Sequence, residues 1–298
     1  MCLVALALSR SARFPFAVAA NRDEFFARPS APLGWWSPGA GAPDILGGRD
    51  LQGGGTWLGL NAAGRFALLT NVRDAARDAA TAPSRGEIVP LWLRGDLDAA
   101  AFQAQFAARG YNGFNVVAAD LSQGEVFHAS DRTSARTTLS SGIHGLSNAG
   151  LDTPWPKVLA LKSRLETALS DAGSLDALRD ALFAALADPA PAPDSELPST
   201  GVPADWERSL SAAFIALPER GYGTRCSTLV ITEQGPRHST THVFERSFDA
   251  GSRTFADRHV ALNDWPAQAA PQSRRAMSTC SMPASPYGAP LSTKPARR

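Results

Sequence analysis

The chain has 298 residues, 29 Lys and Arg against 28 Asp and Glu, and a formal net charge of +1. A chain this long buries a core without disulfide or metal staples. The near-neutral balance excludes a general nucleic-acid binder, which carries a basic surplus. Hydrophobic residues at 44% and charged residues at 19% exclude a disordered or fibrous protein.

The cysteines are Cys2, Cys226 and Cys280. Their odd number and wide spacing imply neither a disulfide framework nor a zinc cluster, so a reducing, cytoplasmic location is expected. No apolar run approaches the roughly 18 residues of a membrane span. The apolar start, Cys2 to Leu8, is short and lacks a basic segment ahead of it, so a cleaved signal peptide is not expected.

In chain order, Leu3 to Leu8 and Phe16 to Ala20 read as a buried hairpin whose second strand ends in Asn21-Arg22-Asp23-Glu24. A glycine-rich loop, Gly47 to Gly55, precedes a second hairpin, Thr56 to Leu60 and Phe66 to Thr70, which ends at Asn71. Ser84 to Leu93 and Asp96 to Arg109 read as helices, the second closed by Gly110. Phe114 to Ala119 and Val126 to Ala129 form a third hairpin around Gly124.

Pro154 to Leu169 and Leu175 to Ala187 are amphipathic helices, and Asp188 to Pro203, with five prolines in sixteen residues, is a loop. Arg225 to Thr232 and Thr241 to Phe248 make a last hairpin. These elements predict one domain over 1–265. The basic, Pro- and Ser-rich 266–298 predicts a disordered tail. Strand pairs separated by helices point to an α+β domain of packed sheets with helices outside.

Met1 is normally trimmed before a small second residue, which would leave Cys2 with a thiol and a free α-amine together. Such an amine titrates near roughly 7.7–8.0 and can serve as the base a thiol nucleophile needs. The bland alternative is a small buried side chain in a strand. Asp23 can hold an α-ammonium and Arg22 can stabilise a thiolate, or the pair simply belongs to a solvated turn. Asn71 and Asn148 follow apolar stretches abruptly, as oxyanion donors or as turn residues. Arg225 opens the final strand beside Cys226.

These residues sit in a series of recognisable stretches: Met1-Cys2-Leu3, Ala20-Asn21-Arg22-Asp23-Glu24, Gly54-Gly55-Thr56-Trp57-Leu58-Gly59, Leu69-Thr70-Asn71-Val72-Arg73, Gly145-Leu146-Ser147-Asn148 with Trp155-Pro156-Lys157, Thr200-Gly201-Val202-Pro203, and Tyr222-Gly223-Thr224-Arg225. By their order and number the chain resembles the NRDE family, also called the transport and Golgi organization protein 2 family, over about residues 1–249. That family resembles the cysteine N-terminal-nucleophile (Ntn) hydrolases.

The resemblance implies an Ntn-hydrolase-like four-layer αββα sandwich of two antiparallel sheets. It also implies a catalytic set of Cys2, Asp23, Asn71, Asn148 and Arg225, with Asn21 and Arg22 as further candidates. Hydrolases of this kind space their Arg and Asp as Arg-Asn-x-Asp, whereas here the order is Asn21-Arg22-Asp23. Adjacent strand residues face opposite ways, so Arg22 and Asp23 are not expected on one face; Asn21 shares that of Asp23.

The first functional expectation is an amidohydrolase acting on a linear amide of a small molecule or lipid, without cofactor. The second is a non-enzymatic carrier on the same fold, taking haem or an acyl lipid, as the family's association with haem trafficking and lipid handling implies. A third makes Cys226 a thiol nucleophile with a histidine partner. No metal site, nucleic-acid partner or membrane span is expected, and the oligomeric state is not legible.

Overall fold

Strand β1, Cys2–Leu8, is apolar throughout because both its faces are covered. Val4, Leu6 and Leu8 pack toward a second sheet, while Leu3, Ala5 and Ala7 pack toward helices. In this computed structural model the described residues are 2–74, 79, 81–249 and 255–266, with Cys2 described by its backbone. They belong to one unit, Met1–Gln268. The tail expected from 266 onward lies, beyond residue 266, outside the described residues.

Among the described residues, fourteen strands form two antiparallel sheets of seven. The first sheet contains β1, β2 (Phe16–Phe25), β10 (Gly142–Leu146), β11 (Ala216–Leu217), β12 (Tyr222–Gln234), β13 (Ser239–Phe248) and β14 (Phe255–Asn263). Its order is β10-β1-β2-β12-β13-β14, with β11 beside β12. The second sheet is a meander in chain order: β3 (Ser30–Trp36), β4 (Ile45–Asp50), β5 (Leu58–Asn61), β6 (Arg65–Asn71), β7 (Phe114–Asp120), β8 (Glu125–Ser130) and β9 (Thr133–Thr138).

Three apolar layers follow from this topology. Val4, Leu6, Val18 and Val230 of the first sheet meet Leu46, Leu60, Phe66 and Val117 of the second. Helices α3 (Pro156–Asp171) and α4 (Leu175–Leu186) cover the outer face of the first sheet, where Ala5, Ala17 and Ala19 admit Leu161, Leu165 and Leu182. Helices α1 (Ile88–Leu93) and α2 (Ala99–Ala107) cover the second, seating Trp92 and Phe102 on Val116 and Ala118. The result is the αββα order. Each fully buried Leu or Phe contributes roughly 1.5–3 kcal/mol. Trp92 also donates its indole N–H to Ala119 O at 3.0 Å, so its polar end is not stranded.

Several elements differ from the sequence reading. β2 continues through the Asn-Arg-Asp-Glu stretch to Phe25, because it lies between β1 and β12 and both neighbours hold its backbone. Strands β3, β4, β9, β10 and β14 and the short α5, Ala204–Ser209, were not expected. β9 is exposed at every position and β4 contains Gly47-Gly48, so neither shows a strand pattern. Gly47 is required there: a Cβ at this position would stand 2.4 Å from Leu58 O on the neighbouring strand.

Candidate active site

The ends of β2 and β6 and the Gln52–Thr56 loop meet at one end of the sandwich. They line a cleft of about 490 Å³, together with residues 82–86 and Asn112. The Gly54-Gly55 pair allows this approach. Thr56 N donates to Gly86 O at 3.1 Å, and a Cβ on Gly55 would lie 2.1 Å from that same oxygen. Arg22, Asp23 and Asn71 all contribute to the wall.

Cys2 stands opposite Arg22 in the β1–β2 ladder, and Arg22 stands opposite Cys226 in the β2–β12 ladder. Arg22 and Asp23 leave β2 on opposite faces, as strand alternation requires. Arg22 has the parity of Val18 and Ala20 and points between the sheets, with its guanidinium 4.2 Å from the centre of the Trp57 ring. Asp23 has the parity of Ala17 and Ala19. It accepts the Thr224 hydroxyl on Oδ1 at 2.7 Å. That hydroxyl accepts in turn from Ile215 N at 2.9 Å.

A bulge in β12 makes this pairing. Thr224 is opposite Asp23 and Cys226 is opposite Arg22, so Arg225 is the extra residue. It is turned out of the ladder. Its Nη1 donates to the carbonyls of Phe25, Phe26 and Arg28 at 2.9, 3.3 and 3.0 Å, which clamps the turn after β2. Arg225 is not among the residues that line the cleft.

Asn21 is fully engaged away from the cleft. Its Nδ2 donates to Leu186 O and Ala213 O, and its Oδ1 accepts from Ser227 Oγ at 2.6 Å. Asn148 donates Nδ2 to Asn71 O at 2.9 Å, and its own carbonyl accepts from Arg73 N at 2.8 Å. Asn148 therefore fixes the end of β6, while Asn71 itself lines the cleft.

Burial pushes the Asp23 carboxyl upward; Lys157, the Thr224 hydroxyl and Arg22 act against it. Lys157, in the first turn of α3, donates Nζ to Leu210 O at 2.8 Å. Arg73 and Glu207 form a buried pair at 2.5 Å, and Glu207 also accepts from Thr200 N and Oγ1. Burial lowers the Arg73 pKa, with Glu207, Tyr222 and Asp23 opposing. Thr224, Lys157, Arg73 and Thr200 were given no role from sequence, although each lies inside one of the quoted stretches. The signal was their membership of those stretches. Thr224, Lys157 and Arg73 act on Asp23, while Thr200 binds Glu207, the partner of Arg73, an arrangement visible only in the fold.

Cys226 is buried at 4% exposure. The histidines have partners other than Cys226: His128 with Asn115, His144 with Asp152, His238 with Asp264, and His242 with His259. Among the described residues, no helix is long and apolar enough to cross a membrane and no group of three or more His, Cys, Asp or Glu could hold a metal ion.

A family model described as Transport and Golgi organisation 2 matches residues 1–250. The Transport and Golgi organization protein 2 homolog of Bos taurus is 35% identical over 230 residues, covering 72% of this chain and 81% of that one. The Homo sapiens homolog is 34% identical over the same length and shares. Among solved structures, a C2A mutant of the conjugated bile acid hydrolase from Clostridium perfringens has a TM-score of 0.43 at 8% identity, covering 91% of this chain and 99% of that one. This is a loose likeness.

Proposed function

We propose that this chain, which belongs to the Transport and Golgi organisation 2 family, is a cysteine amidohydrolase of the N-terminal-nucleophile kind acting on a linear amide. One observation carries the reading. Residue 2 pairs with Arg22, next to the buried Asp23, on the strand that ends at a cleft lined also by Asn71. Removal of Met1 would put a thiol and an α-amine on one residue at that register position.

In the proposed reaction the Cys2 amine takes the thiol proton and the sulfur attacks the amide carbonyl. Asn71 donates its side-chain N–H to the oxygen as negative charge develops there, while Asn148 holds the Asn71 backbone. The C–N bond breaks as the α-ammonium returns the proton to the leaving amine, forming a thioester. The amine then deprotonates a water that attacks the thioester, releasing the acid and restoring the thiol. Asp23 positions the amine. Arg22 supplies positive charge near the sulfur, which lowers a thiol pKa.

The carrier reading gains no specific support. None of the described residues lining the cleft is a histidine, so its walls offer a haem iron no imidazole. The test is the mature N-terminus and its reactivity. Intact mass and substoichiometric iodoacetamide should show Met1 absent and Cys2 labelled first. A retained Met1, or labelling first at Cys226, would overturn the proposal.

A further inference from the structure

Arg22 is buried at 5% exposure. Its Nη1 has no hydrogen-bond acceptor among the described residues. The carboxylate paired with it, Glu24, lies 4.0 Å from Nη2 and is shared with Arg28 at 3.8 Å. A buried cation without a close counter-ion is costly. The other cleft cations are already engaged: Arg28 holds Asp50 at 2.7 Å and Arg85 donates to Gly113 O at 3.0 Å.

Two buried carboxyls act on Arg22, and each is held by other donors: Asp23 accepts the Thr224 hydroxyl at 2.7 Å. Glu245 accepts from Leu33 N and the Ser247 hydroxyl. Burial pushes the pKa of both Asp23 and Glu245 upward. The centre of the Trp57 ring lies 4.2 Å from the guanidinium carbon, a cation–π contact that supplies no hydrogen-bond acceptor.

From this geometry we infer that the cleft takes a ligand bearing a compact oxyanion, a carboxylate or a phosphate, whose charge is met by Arg22. A planar guanidinium fork matches either group. Resting on the hydrolase reading, the substrate is then a short amide that carries an acidic group, not an uncharged long-chain lipid amide. The cleft volume of about 490 Å³ suits a small polar molecule.

The test is calorimetric titration of the full-length protein with glutarate and, separately, with inorganic phosphate; neutral glutaramide is the control. One of the two anions should bind, which identifies the oxyanion, and glutaramide should not. Arg22→Gln should weaken binding about tenfold or more, the loss of a charge-assisted contact. Glu24→Gln removes the competing carboxylate from a partly exposed position and should tighten binding; it decides the matter if Arg22→Gln does not fold. Binding of neither anion, or affinity that ignores these substitutions, overturns the inference.

Turnover of a glutaryl against a pentanoyl aminocoumarin amide separates this from the hydrolase reading. Anion binding without turnover of either amide removes the hydrolase and leaves the oxyanion site. Equal turnover of both without anion binding removes the oxyanion site and leaves the hydrolase.

Discussion

Thr224 gives its hydroxyl proton to Asp23 at 2.7 Å, and it stands opposite Asp23 only because Arg225 is bulged out of β12. In a regular ladder Arg225 would take that place. The bulge thus does two things at once. It brings a small hydroxyl to a buried carboxyl, and it frees a long cation to clamp the turn that leads away from the site.

The burial of Asp23 gives a signed prediction. A carboxyl whose folded pKa is raised binds its proton more tightly in the native state. Stability is therefore lost as pH rises from the unfolded value, near 3.9, through the folded one. Asp23→Asn keeps an oxygen for Thr224 and removes the charge. It should melt higher than wild type at pH 7, with the gap closing as pH falls, and it should lose turnover. A variant that melts lower at pH 7 would show that the partners of Asp23 outweigh its burial.

His128 gives the opposite sign. Burial lowers its pKa to about 4 against a slight pull from Asp152, and its Nε2 lies 3.0 Å from Asn115 Oδ1. The unfolded chain takes up a proton near 6.5 while the fold refuses it until about pH 4. Stability should fall by about 3 kcal/mol as pH drops through that window. His128→Gln, which keeps a donor for Asn115, should flatten this part of the melting-temperature profile.

Asn71 and Asn148 should separate. Asn71→Ala should lower kcat by about 10²–10³ with little change in KM or melting temperature, as loss of an oxyanion donor does. Asn148→Ala removes a partly buried bond to Asn71 O and should cost about 1 kcal/mol of stability as well as rate. Equal melting losses at both positions with unchanged kcat would defeat the oxyanion role.

Cys2→Ser should keep the melting temperature and abolish amide turnover, since a hydroxyl beside a weak base is a far poorer nucleophile. Equal turnover by mutant and wild type would exclude Cys2.

Much of the α+β layering was legible because apolar periodicity marks elements buried on one or both faces. β1, the β7–β8 hairpin, α3 and α4 were read within a few residues of their bounds. The edge strands were not, since β9 and most of β14 pack too little apolar surface to leave a pattern. The cleft's Arg22, Asp23 and Asn71 were legible as abrupt polar endings to apolar strands. Asn21 shows the limit of that signal. Its burial between Leu186 O, Ala213 O and Ser227 is long-range satisfaction of a polar group, which no local window contains. The same holds for the Arg73–Glu207 pair, whose members are 134 residues apart.

The bulge leaves β12 one residue longer than the stretch of β2 it pairs with, so this fold carries a spare length of chain at a defined place. Removing Arg225 would bring Thr224 and Cys226 into consecutive register against Asp23 and Arg22, leaving the ladder and the Thr224–Asp23 pairing intact. What would be lost is the tie to the carbonyls of Phe25, Phe26 and Arg28. A one-residue deletion here should therefore loosen the neighbouring turn while sparing the sheet. The same deletion at Leu229 or Val230 would swap the two core layers along half a strand.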